Sequence, residues 1–113
     1  MTFEQDKDET PVLFRAQCEA GVIWVTAVFP CEPSDLDGYN MTCYAHVGQH
    51  GGCSIPWYQR TRAAKPEEYA DLQRELKSAL GYRLKVYKRM QPWMREARFA
   101  EAERLRDFVK ESA

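Results

Sequence analysis

The sequence predicts an α+β fold: a two-layer domain in which a four-stranded, mostly antiparallel sheet is covered on one face by two helices, in chain order β-β-β-α-β-α. Three observations lead there. β-branched and aromatic runs crowd the first half of the chain. A strong helical stripe with a proline start occupies residues 66–80. A short alternating run then separates that helix from a second one beginning at Pro92. With 113 residues the chain fits one domain, and five Phe, six Tyr and three Trp can fill its core without metal or disulfide staples.

Residues 1–10 are polar and aperiodic and read as a flexible acidic tail, leaving 11–113 as the single domain. Val12–Ala16 and Val22–Phe29 are apolar, β-branched runs joined through Glu19-Ala20-Gly21, the pattern of a hairpin that Pro30 would close. Residues 31–40, CEPSDLDGYN, favour turns and predict an exposed loop. Met41–Val47 reads as a third strand, whose period of two sends Thr42, Tyr44 and His46 to one face and Cys43, Ala45 and Val47 to the other. Glycines 48, 51 and 52 would end it, and an irregular connection would run to Lys65.

Pro66 suits a helical first turn, Glu67, Glu68 and Asp71 complement the positive end of the dipole, and Gly81 supplies a stop. The buried stripe of that helix would be Tyr69, Leu72, Leu76, Ala79 and Leu80. Tyr82–Arg89 alternates as a fourth strand, with Leu84 and Val86 inward and Arg83, Lys85, Tyr87 and Arg89 on a basic outer face. The last helix, from Pro92 to about Lys110, carries a broad apolar stripe whose outer half can dock on another subunit or partner. Strand order stays open at this level.

No run approaches the roughly 18 apolar residues of a membrane helix, and the acidic N-terminus is unlike a signal peptide. A cytoplasmic protein with reduced cysteines is therefore expected, without membrane association. The net charge of −1 conceals a split. Residues 1–38 carry two basic and eight acidic side chains, whereas residues 60–98 carry eleven basic and five acidic ones. Such polarity favours self-association of opposite ends or an acidic partner.

Side-chain chemistry concentrates in CYAHVGQHGGC. Cys43, His46, His50 and Cys53 are the ligand types of a tetrahedral zinc site, although an extended strand would point Cys43 and His46 apart. Gly48 to Gly52 can form a binding loop with His46, Gln49 and His50 as polar contacts. A cysteine nucleophile with a histidine base would need a partner that the fold brings in, and no acidic orienting residue lies nearby, so no catalytic residue is assigned and no enzyme is expected. Arg60, Arg62, Lys65, Arg83, Lys85, Tyr87 and Arg89 supply cations for phosphates and an aromatic for stacking, a nucleic-acid surface as the alternative.

The pieces AHVGQHG at 45–51, EEYADLQREL at 67–76 and GYRLKV at 81–86 resemble a family of small uncharacterised proteins of bacteriophages and bacterial mobile elements, over roughly residues 12–98. The resemblance rests on the His-Val-Gly-Gln-His core and does not extend to Cys43 and Cys53. It implies an α+β domain with an accessory role in a mobile element and no known activity. The combined expectation is a non-catalytic interaction protein with no cofactor, whose partner is a protein or a second copy. Nucleic-acid binding and a zinc-binding module are the alternatives.

Overall fold

The computed structural model describes residues 9–45 and 49–112. It is an α+β structure of nine elements: β1 (Thr10–Glu19), β2 (Val22–Pro33), β3 (Met41–Ala45), β4 (Gln49–Cys53), α1 (Ile55–Gln59), β5 (Arg62–Ala63), α2 (Pro66–Ser78), β6 (Leu84–Tyr87) and α3 (Pro92–Ser112). The six strands form one sheet in the order β4-β3-β2-β1-β5, with β6 also on β1. All pairings are antiparallel except β1 with β6. The far edge of β1 is shared, Thr10–Leu13 pairing with β6 and Arg15–Ala16 with β5.

β1 and β2 form a long hairpin closed by Ala20 and Gly21 at φ 52° and 81°. Two consecutive left-handed residues make the tight turn whose twist matches the flanking strands. β2 does not stop at Pro30. It continues to Pro33 through a register shift between Phe29 and Pro33, an irregularity that accommodates a residue with no N–H to donate. The rest of the expected loop is a turn held by Asp35, whose carboxylate accepts from the Gly38 N–H at 2.8 Å and the Asn40 amide at 3.0 Å.

Alternation along β1 and β2 builds two apolar clusters on opposite faces. Val12, Phe14, Ala16, Ala27, Phe29 and Tyr44 pack with Leu72 and Leu76 of α2. Leu13, Val28, Met41 and Cys53 pack with Ile55, Trp57 and Tyr58 from α1 and its flank, and with Tyr87 and Met90. The sheet is therefore covered on both faces, by three helices, and the expectation of four strands and two helices on one face is corrected. α1 forms because the Ser54 hydroxyl accepts the Trp57 N–H and Pro56 fits its first turn. α2 begins at Pro66 as expected but ends at Ser78, so Leu80 is exposed rather than part of the stripe.

α3 lies against β2 and buries Met94, Arg98 and Ala102, one every fourth residue. Arg98 is only 1% exposed; it donates from Nε to the Gly38 carbonyl at 2.7 Å and from Nη1 to the Pro30 carbonyl at 2.9 Å. The guanidinium thus ties α3 to the end of β2 and to the turn that follows, taking up carbonyls that the irregular backbone leaves without strand partners. Of the acidic tail expected over 1–10, residues 1–8 lie outside the described residues, and Thr10 already belongs to β1.

Candidate functional site

The β3–β4 hairpin carries the chemistry singled out in the sequence and divides it between two faces. Cross-strand register pairs Tyr44 with His50, Cys43 with Gly51 and Met41 with Cys53. Residues directly opposite share a face, so His50 goes with Tyr44 to the α2 side, while Cys43 and Cys53 go to the α1 side. His46 lies outside the described residues, as does the side chain of Gln49. His50 does not join the two cysteines as a ligand, and among the described residues no three His, Cys, Asp or Glu side chains are placed to hold a metal ion.

On the α2 side His50 is exposed, and its Nε2 shares a 2.8 Å hydrogen bond with the Tyr82 hydroxyl. Its ring sits 5.1 Å from Tyr44 and 6.0 Å from Phe29, centroid to centroid. The buried Tyr44 donates its hydroxyl to the Glu75 carboxylate of α2. Glu32, at the shifted end of β2, has its carboxyl pKa raised by burial, with the charge of His50 opposing that rise. Burial raises the Tyr82 phenol as well, with the Glu32 charge adding to it. The result is a wall of rings linked to carboxylates, suited to holding a polar group through His50 and Tyr82.

On the α1 side Cys43 and Cys53 line an open groove of about 660 Å³ with Gln17, Thr26, Asn40 and Trp57. The Cys43 thiol has its pKa lowered to about 7, first by the neighbouring Cys53 thiol and, more weakly, by the Gly51 N–H, against the opposing effect of burial. Cys53 is raised, first by the neighbouring Cys43 thiol and then by burial. The sequence groups Cys43 and Cys53 only as ligands of one candidate metal site; the strand β4 that brings them side by side carries no local signal.

The basic residues proposed as a nucleic-acid surface lie strung along the β1 edge, those near β6 opposite Thr10–Leu13 and those near β5 opposite Arg15–Ala16. Arg60, Lys65, Arg83, Lys85 and Arg89 are exposed there. Arg62 is exposed but forked onto Glu68, Nη1 and Nη2 at 2.9 and 2.8 Å from the two carboxylate oxygens. Tyr87 is a correction. It packs in the α1-side cluster and meets Trp93 edge-on at 5.9 Å, because the outer face assigned to it is the second covered face of the sheet. Val86, expected inward, is exposed.

The tip of the β1–β2 hairpin presents a different surface. Trp24 is 57% exposed, Val22 50% and Ile23 44%. β5 reaches β1 only at Arg15–Ala16, and the described pairing of β3 with β2 begins at Ala27, so among the described residues, 17–19 and 22–26 are paired only with each other, as a two-stranded arm. The β-branched run Val22–Phe29 carries no signal that its first half lies outside the described pairing with β3. Other residues that spacing did not single out are Glu32, Glu75 and Tyr82, which reach His50 or Tyr44 only through the fold, and Arg98. For Arg98 a signal existed: it stands between Met94 and Ala102 at helical spacing, a cation on a buried stripe.

No family model, no curated protein and no solved structure matches this chain.

Proposed function

We propose that the chain is a non-catalytic interaction module whose contact surface is the β1–β2 arm, and that its partner is a second copy of itself. The observation that carries this reading is the run Val22-Ile23-Trp24, three exposed apolar side chains on a hairpin tip that no other strand pairs among the described residues. An open strand edge offers unpaired N–H and C=O groups to another strand, and apolar neighbours add burial to that pairing. Two-fold pairing of identical arms uses the same patch twice, the commonest way a small chain closes into a dimer. The outer end of α3 supports it, since Phe108 is 63% and Val109 50% exposed. Among the described residues no helix is long and apolar enough to cross a membrane. An accessory role in a mobile element, implied by the family resemblance, belongs to the same proposal. Sedimentation velocity over a concentration series tests it: a dimer boundary that Trp24→Ser converts to monomer supports the reading, and a monomer at every concentration overturns it.

A second reading is nucleic-acid binding along the β5/β6 edge, favoured by the row of Arg60, Lys65, Arg83, Lys85 and Arg89 there. Its signature would be affinity for single- or double-stranded probes that falls steeply with salt. Affinity that is undetectable at low ionic strength, or indifferent to salt, rejects it.

A further inference from the structure

We propose that Cys43 and Cys53 form a thiol–disulfide exchange site, in which Cys43 accepts a low-molecular-weight disulfide from the groove and Cys53 resolves the adduct into a Cys43–Cys53 bond. The two side chains leave adjacent strands on one face, offset by two residues in register, and both open into the same 660 Å³ groove. That volume falls in the range of small-molecule sites, and Gln17, Asn40 and Ser54 give it polar walls for a peptide-like thiol.

The roles divide by exposure and acidity. Cys43 is half-buried with a lowered pKa, whereas Cys53 is 8% exposed with a raised one. A thiolate is the nucleophile in exchange, so Cys43 attacks first. Its sulfur bonds to one sulfur of the incoming disulfide, whose S–S bond breaks and releases a thiolate that takes up a proton. Cys53 then loses its proton and attacks the Cys43 sulfur, expelling the second small thiol. The protein pair gives up two electrons, and the small disulfide leaves as two thiols.

Diagonal neighbours on paired strands stand about 7–8 Å apart, beyond the roughly 4.4–6.8 Å usual for a disulfide, so closing the bond requires β3 and β4 to shift toward each other. The oxidised hairpin is therefore strained and readily reduced, which makes the bond a reversible modification rather than a staple. Gly51, opposite Cys43, leaves room for that shift, since a Cβ built there would have only Cys43 Sγ within 4 Å, at 3.9 Å. The remaining cysteines do not compete inside the groove. Cys31 is held up at about 11 by burial and by Glu32, and Cys18 lies exposed near the hairpin tip.

The test is intact-mass analysis of Cys18→Ser protein exposed to oxidised glutathione. Loss of two hydrogens with no lasting adduct, mapped to Cys43 and Cys53, is the expected result, reversed by mild reductant. Adding Cys53→Ser should trap one glutathione on Cys43; adding Cys43→Ser should slow modification roughly tenfold. Alkylation of the Cys18→Ser protein as a function of pH gives a readout independent of the paired variants, with a midpoint for Cys43 near 7 expected. An adduct that persists with both cysteines present, or Cys43 alkylation no faster than that of free cysteine at neutral pH, overturns the proposal.

Discussion

Replacing Arg98 with methionine keeps the aliphatic stem in place and removes its bonds to β2 and to the turn that follows it. The guanidinium donates to the Gly38 and Pro30 carbonyls at 2.7 and 2.9 Å from a position 1% exposed. Hydrogen bonds from a charged donor contribute about 1.5–3 kcal/mol each, so the gross loss is about 3–6 kcal/mol. Part of this is returned because a cation no longer has to be desolvated, an effect visible in the lowered pKa of Arg98, for which burial is the first cause and Arg95 the second. The net destabilisation should be about 2–4 kcal/mol, which lowers Tm by about 8–16 °C in a domain of this size. Urea denaturation reads it as a shifted midpoint at unchanged slope. Arg98→Lys should recover less than half of the loss, since an ammonium lacks the fork that reaches both carbonyls. A stability within about 0.5 kcal/mol of wild type for Arg98→Met would refute the reasoning.

Gly38→Ala should cost about 2–4 kcal/mol in the same assay, because its φ is +83° and an added Cβ would lie 2.8 Å from Phe99 Cδ1 and 3.0 Å from Ala102 Cβ. Gly21→Ala shares the positive φ but meets nothing within 4 Å, so about 1–2 kcal/mol is expected, and equal losses at the two positions would contradict the packing of α3. Tyr44→Phe removes a buried hydroxyl's bond to Glu75 and should destabilise by about 1.5–3 kcal/mol, measured by urea midpoint; no change would place that carboxylate elsewhere. The Glu68 pKa falls from 4.5 to about 2, first through Arg62 and then through the Lys65 N–H. Its stabilisation is present above the unfolded value and lost as pH falls through about 2, so Glu68→Gln should flatten acid unfolding between pH 4.5 and 2.

The elements legible in the sequence were those whose residues carry their own periodicity. α2 announced itself through Pro66, Leu72 and Leu76, and the first hairpin through its β-branched runs. β4 did not, because QHGGC contains two glycines that weaken a strand, and only pairing with β3 makes it one. β5 spans two residues and α1 five, too few for any period to register. Alternation failed in β6 at both Val86, which is exposed, and Tyr87, whose face is the second covered face of the sheet, since a period of two cannot say which sides are covered.

The site followed the same logic. Parity along β3 separated Tyr44 from Cys43, as the structure also has it, whereas the approach of Cys53 to Cys43 depended on the unread β4. The contacts of His50 with Tyr82 and Glu32 cross 32 and 18 positions of chain and carry no local signal.

Amide hydrogen exchange across a dilution series measures the proposed arm contact where it should occur. Association through the hairpin predicts that amides of residues 17–19 and 22–26 gain protection as protein concentration rises, while buried core amides such as those of Val12 and Val28 keep theirs. Exchange at the arm that stays fast and independent of concentration would contradict the account.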